Sequence, residues 1–275
     1  LKGHNDLVMS VSVTPDGKYA ISASRDRTLK VWDLEREEEE VTFKGHKDCV
    51  YAVAITSDGK YAVSASHDET IKVWDLERKK EKTTLKGHEG HVYTIAVTPK
   101  GKYAILAKDD RILKVWDLDK GTEKTTLEGH VGTVNAVAIT PDGKYAVSGS
   151  EDGTLKIWDL EKKEEETKLK AHDTDVNAVA FTPDGKLVVS ASGDSTLKIW
   201  DMEKREEVTT LKGHKGDVNS VAVTSDGKYA ISASYDGTLK VWDLEKKKEK
   251  TTLRGHEGHV NAVIVTSDGK YAVSD

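Results

Sequence analysis

Histidine, aspartate and a lone cysteine are the residues in this chain whose types and spacing could do chemistry. Histidines stand at His4, His46, His88, His130, His172, His214 and His256, each 42 residues after the last. All follow a glycine except His172, which follows Ala171. Tryptophans keep the same interval at Trp32, Trp74, Trp116, Trp158, Trp200 and Trp242, and each is followed by an aspartate. A histidine beside an aspartate suggests a general base. A catalytic dyad is needed once, however, and this arrangement recurs along the whole chain, so a structural role outweighs a catalytic one. His91, His259, Asp175 and Asp217 carry metal-ligating groups, but none has ligand spacing within one strand. There is no Gly-rich phosphate loop, nucleophile elbow or zincin motif, and Cys49 has no histidine partner readable from sequence. The expectation is no catalytic residue, no metal and no cofactor.

The interval describes the elements that must position these residues. Self-similarity at a fixed period of this size marks a repeat architecture. In the second unit, Val50 to Ile55 is apolar, and Thr56-Ser57-Asp58-Gly59-Lys60 is a turn with glycine where positive φ is needed. Tyr61 to Ser66 alternates, with Tyr61, Val63 and Ala65 on one face and Ala62, Ser64 and Ser66 on the other. A tight turn at His67 to Thr70 leads into Ile71 to Trp74. The charged stretch Glu77 to Lys82 reads as a loop, and Thr83 to Lys86 as a short outer strand. Four strands cannot bury both their faces alone, so the units must stack. Closing the stack into a ring would protect most strand edges. No linker or composition shift interrupts the period, so residues 1–275 read as one domain.

Composition narrows the function classes. Charged residues make up 33% of the 275 residues, yet the net charge is only -6, which argues against a nucleic-acid binder. One cysteine excludes an internal disulfide framework and fits a reducing, cytoplasmic compartment. No apolar run is long enough to span a membrane. The opening at Leu1, without a signal-peptide pattern, fits a piece of something longer.

Gly-His, a strand, an Asp-Gly turn, a strand, Ser-x-Asp-x-Thr and finally Trp-Asp together resemble the WD-repeat family, over essentially the whole chain. The resemblance implies an all-β, seven-position β-propeller of four-stranded antiparallel blades. It also implies a His–Ser–Asp–Trp hydrogen-bond relay in each blade. Carried across, the sets are His4, Ser24, Asp26, Trp32; His46, Ser66, Asp68, Trp74; and His130, Ser150, Asp152, Trp158. The later sets are His172, Ser192, Asp194, Trp200 and His214, Ser234, Asp236, Trp242. The third unit keeps His88, Asp110 and Trp116, but Lys108 stands where serine is expected and Ile112 replaces the usual threonine. Leu106 there reads as the replacement of an outward serine, and Lys100 replaces the turn aspartate. Seven full units would overrun the chain, which stops inside the second strand of the seventh. Six complete blades and an inner half-blade, Val260 to Asp275, are therefore expected. An exposed edge along Lys270 to Asp275 would invite pairing with another strand.

Copies of the unit can be compared with one another. Those starting at Phe43 and Leu211 agree at most positions, which points to recent duplication or deliberate construction. The residues that differ flank the first strand's valine or precede the turn aspartate. The family resemblance places both groups on one face, called the top, as a ring of polar and aromatic groups around a pore mouth. The candidate partner-binding set is Met9, Arg25, Tyr51, His67, His91, Tyr93, Asp109, Asn135, Glu151, Asp175, Asn177, Asp217, Asn219, Tyr235, His259 and Asn261. Such side chains offer area and hydrogen bonds for protein recognition. Mixed-sign runs at Glu35 to Glu40, Arg78 to Lys82, Lys162 to Glu166 and Lys246 to Lys250 read as solvated loops of the opposite face. The expected function is a non-catalytic scaffold holding a peptide or protein, with no nucleic-acid or membrane partner. A small-ligand or glycan receptor using the same rim is the rival, and a duplicated or engineered propeller without a natural partner is a third reading.

Overall fold

The computed structural model describes residues 2–88, 90–108, 111–266, 269 and 271–274. Each of the first six units lays down four antiparallel strands that pair in sequence order, first to second to third to fourth. In the first blade these are Val8–Val13, Tyr19–Ser24, Thr28–Asp33 and Glu38–Lys44. Five further four-stranded sheets repeat the order, starting at Val50, Val92, Val134, Val176 and Val218. Val263–Val265 and Ala272–Ser274 then form a two-stranded sheet. The described residues contain no helix. The architecture is all-β, with six complete blades and an incomplete seventh, as the period requires.

Two compact units carry these sheets: Leu1–Glu128 holds the first three blades, and Gly129–Asp275 holds the other three with the two-stranded sheet. Within each unit, the first strands of successive blades pack on one another. The second strands lie between neighbouring sheets, so in Tyr61–Ser66 every residue but Tyr61 is buried, on both faces. One core joins Ile21, Leu29 and Phe43 of the first blade to Val50, Val53 and Trp74 of the second. Phe43 and Trp74 stack there at 5.0 Å between ring centroids. Local chemistry fixes the turn between first and second strands. Thr140 Oγ1 donates to Asp142 Oδ1 at 2.6 Å, the same oxygen accepts the Lys144 N–H at 3.0 Å, and Gly143 takes φ 74°. In the third blade Gly101 has φ 66°, and a Cβ there would meet Thr56 Cγ2 of the second blade at 2.9 Å. That glycine serves both the turn and the close approach of two blades.

The outer strands are longer than the sequence suggests. The fourth strand of the second blade runs Lys80–Lys86 rather than from Thr83. Its counterparts start at Glu38, Glu164 and Lys248, so each of the four charged runs is part turn and part strand. Edge strands accept charge readily, because one side faces water. These charges also have partners within the sheet: Lys72 Nζ donates to Glu81 Oε2 at 2.7 Å and to Thr84 Oγ1 at 2.6 Å. The half-blade is shorter than expected. Val260 is buried and its N–H donates to Ser234 O at 3.1 Å, but the strand starts at Val263. Lys270 and Asp275, the limits of the expected edge, lie outside the described residues.

Candidate functional site

Each histidine of the 42-residue series from His46 on sits in the link between the fourth strand of one blade and the first strand of the next, and His4 precedes the first strand of the first blade. His46 Nδ1 lies 3.1 Å from Asp68 Oδ2, and its Nε2 lies 2.7 Å from Ser64 Oγ. Ser64 Oγ accepts the indole N–H of Trp74 at 2.8 Å, and Thr70 Oγ1 donates to Asp68 Oδ1 at 2.5 Å. A consistent chain of protons follows: the indole donates to the serine, the serine hydroxyl to Nε2, and Nδ1–H to the carboxylate. The same set appears as Trp32–Ser22–His4–Asp26 and Trp158–Ser148–His130–Asp152. Trp200–Ser190–His172–Asp194 and Trp242–Ser232–His214–Asp236 complete the series. In the incomplete blade His256 Nε2 meets Ser274 Oγ at 2.8 Å, the corresponding bond.

The relay serine is therefore not the expected one. Ser24, Ser66, Ser150, Ser192 and Ser234 stand two residues further along and belong to a different fastening. Ser66 Oγ donates to Asp48 O at 3.0 Å and accepts the Asp68 N–H at 3.1 Å. Strand register explains the choice. Ala62 pairs with Trp74, so Ser64 is the diagonal neighbour of the indole on the same face, and Ser66 lies a further step away.

The electrostatics of the relay oppose catalysis. Burial pushes the His46 imidazole down to about 4, against the pull of the Asp68 carboxylate. Burial works to raise Asp68, but the Thr70 hydroxyl, the Lys47 N–H and His46 hold it down to about 2. A neutral imidazole beside an ionised carboxylate could act as a base, yet the His46 side chain has no exposed surface. This arrangement fastens a loop.

The third blade lacks the chain of bonds, for a reason other than the one expected. Leu106, not Lys108, occupies the relay serine's place, and it is fully buried rather than outward. Lys108 takes the place of Ser66, and Ile112 that of Thr70. Among the described residues, His88 Nδ1, His88 Nε2 and Trp116 Nε1 are buried without a hydrogen-bond partner. The Thr70 backbone approaches His88 without completing a bond, and burial again lowers the imidazole pKa. Asp110 lies outside the described residues, as does Asp109 of the candidate binding set.

At the top ends of the first, second, fourth, fifth and sixth blades the two variable groups do come together. The N–H of the turn residue donates to the carbonyl just before the first strand: Arg25 to Leu7, His67 to Cys49, Glu151 to Thr133, Gly193 to Asp175 and Tyr235 to Asp217. Met9, Tyr51, Tyr93, Asn135, Asn177 and Asn219 are each the extra residue of a β-bulge in the first strand. Bulges re-aim a side chain and are frequent beside binding sites. In the N-terminal unit, His67 and His91 of adjacent blades stack at 4.3 Å, with Tyr51 edge-on to both. Asp48 Oδ2 lies 3.3 Å from His67 Nδ1. In the C-terminal unit, Tyr235 and His259 repeat the stack at 3.3 Å, and His259 Nδ1 donates to Tyr235 O at 2.7 Å. Glu151, Asp175 and Asp217 are exposed, and Asp217 lies against Gly193 of the preceding blade.

Three asparagines of the binding set have an internal task that sequence reasoning missed. Asn135 donates to Val176 O at 3.4 Å, Asn177 to Val218 O at 3.1 Å and Asn219 to Val260 O at 3.1 Å. Each therefore ties its blade to the next. Their restriction to one half of the chain was the available signal. No group of three or more His, Cys, Asp or Glu among the described residues is arranged to hold a metal ion.

Six four-stranded sheets, each with a Trp-Asp third strand, and a two-stranded seventh define a class of protein. The family model for the WD domain, G-beta repeat, matches at residues 1–33, 37–75, 79–117, 121–159, 163–201, 205–243 and 247–274. The chain belongs to the WD-repeat β-propeller family. A stretch of 34 residues, 12% of this chain, is 59% identical to the small ribosomal subunit protein RACK1 of Candida albicans and spans 11% of it. A 33-residue stretch, also 12% of this chain, is 54% identical to the ribosome biogenesis protein BOP1 homolog of Drosophila melanogaster and spans 4% of it. The BOP1 homolog of Drosophila willistoni matches to the same extent.

Proposed function

We propose that the chain is a non-catalytic scaffold that holds a peptide or protein partner on the top ends of its blades. The observation that carries this reading is the meeting of the two variable groups there, on a frame that is otherwise repeated. Rings from adjacent blades meet as His67–His91 and Tyr235–His259, giving rigid area with polar edges. The names of the matched relatives, a ribosomal subunit protein and a ribosome biogenesis protein, place both with large assemblies and favour a scaffold over an enzyme. A net charge of -6 favours a protein partner over nucleic acid, and the single cysteine suits a reducing cytoplasm.

The test is a peptide array and a glycan array, each probed with the full chain and with two variants. Tyr51→Ala/His67→Ala/Tyr235→Ala alters the top ends, and Lys162→Ala/Lys246→Ala the opposite ends. Peptide binding that the first variant loses and the second keeps supports the proposal. Glycan binding alone would make the chain a receptor, and silence on both arrays would favour a duplicated or designed propeller without a partner.

A further inference from the structure

The two-stranded sheet presents the surfaces on which a third strand lies in the complete blades. Among the described residues, Ala272–Ser274 pairs only with Val263–Val265. In every complete blade the second strand pairs on its other side with a strand ending in Trp-Asp. In five of those six the indole donates to the serine that also holds the histidine, as Trp74 does to Ser64 at 2.8 Å. Ser274 and His256 hold each other at 2.8 Å in the same way, but His256 is exposed where His46 and Ser64 are buried. Two further residues mark the place of an indole. Phe43, Leu85, Leu169 and Leu211 each share a core with the tryptophan of the following blade, whereas Leu253, next in that series, is 44% exposed. A Cβ on Gly45 would meet Trp74 Cη2 at 3.2 Å and one on Gly213 would meet Trp242 Cη2 at 3.3 Å, yet one on Gly255 would meet nothing within 4 Å. Tyr271 and Val273 are exposed as well. Apolar surface beside such a strand edge is a template for strand addition.

We propose that the edge Ala272–Ser274 is a second binding site, which takes an extended, tryptophan-bearing segment of a different protein. Register fixes the pose. In the second blade Ala62 pairs with Trp74 and Val63 with Val73. The incoming tryptophan therefore lies opposite Ala272, with its indole N–H on Ser274 Oγ and its ring against Leu253 and Gly255. An apolar residue just before it lies opposite Val273. A second copy of this chain does not supply that segment, because each of its Trp-Asp strands is already paired on both sides. The site uses none of the top-face set, so it stands or falls apart from the scaffold reading.

Fluorescence anisotropy of a labelled peptide copying Thr238–Asp243, titrated with the full chain, tests this. The peptide should bind. Phenylalanine in place of its tryptophan keeps a ring but loses the N–H, and should weaken binding about fivefold. Alanine there should weaken it by about thirtyfold. Ser274→Ala should weaken the tryptophan peptide about fivefold and leave the phenylalanine peptide unchanged, as a shared hydrogen bond requires. Leu253→Asp, at an exposed position, should weaken both. No binding of the tryptophan peptide, or equal binding of the tryptophan and alanine peptides, would overturn the proposal. Self-association of the chain that Leu253→Asp abolishes and the peptide does not displace would also overturn it, making the edge an interface between copies.

Discussion

Tryptophan and its serine show how much one position can carry. Trp158 is buried, and its indole N–H reaches Ser148 Oγ at 2.8 Å. Replacing it by alanine removes that packing and leaves a void, for which losses of about 3–5 kcal/mol are usual. Tyr235 is 53% exposed and touches His259 on one face, so Tyr235→Ala should cost under about 1 kcal/mol. Chemical denaturation of both variants measures the difference, and equal losses would mean that the inside and outside of the blade are wrongly assigned. At this scale the sequence was legible for residue types but not for every partner. Ser22 and Ser24 recur with the same period, so periodicity alone could not choose between them. Strand register could, because the tryptophan pairs with the residue two before the relay serine. The mistake over Lys108 has the same origin, since the position that breaks the third relay is Leu106.

At the scale of strands, pattern reading found the first three of each blade and shortened the fourth. Charge misled it: the Lys80 to Lys82 segment looks like a solvated turn until Lys72 is seen reaching across to Glu81. Between-blade bonds were also illegible, because no local pattern reports what lies on the neighbouring sheet. Asn177 illustrates the consequence. It was expected to face a partner, yet its amide donates to Val218 O of the next blade at 3.1 Å. Asn177→Ala should therefore lower stability by about 1 kcal/mol, the usual net worth of an internal hydrogen bond. Tyr51→Ala, at the equivalent bulge of the N-terminal unit, should lose mainly ring contacts with His67 and His91. Denaturant midpoints at a common slope distinguish the two roles. An Asn177→Ala variant as stable as its parent would return that residue to the contact surface.

For the molecule as a whole, repetition turns a local ionisation into a collective one. Burial lowers the imidazole pKa at His46, His88, His130, His172 and His214 alike. A histidine in the unfolded chain takes up its proton near 6.5, whereas folded His46 does so at about 4. Between those values the unfolded state binds more protons, so acid favours unfolding, and each such group adds a slope of up to about 1.4 kcal/mol per pH unit. The stability due to the neutral His46 imidazole is complete above 6.5 and is lost progressively as pH falls toward 4, and the other four imidazoles, lowered by burial, lose theirs in the same direction. Below that, Asp68, held at about 2 against an ordinary 3.8, extends the loss in the same direction. Repeat proteins sum such contributions from unit to unit, so the effect should be large for the chain although each blade supplies only a part. Thermal unfolding followed from pH 8 to pH 4 at constant ionic strength should give a nearly level Tm above about 7, and a steep fall below about 6.5. A Tm that stays level through that window would show that the imidazoles titrate alike in the folded and unfolded chain, and that burial in the relay does not hold them neutral.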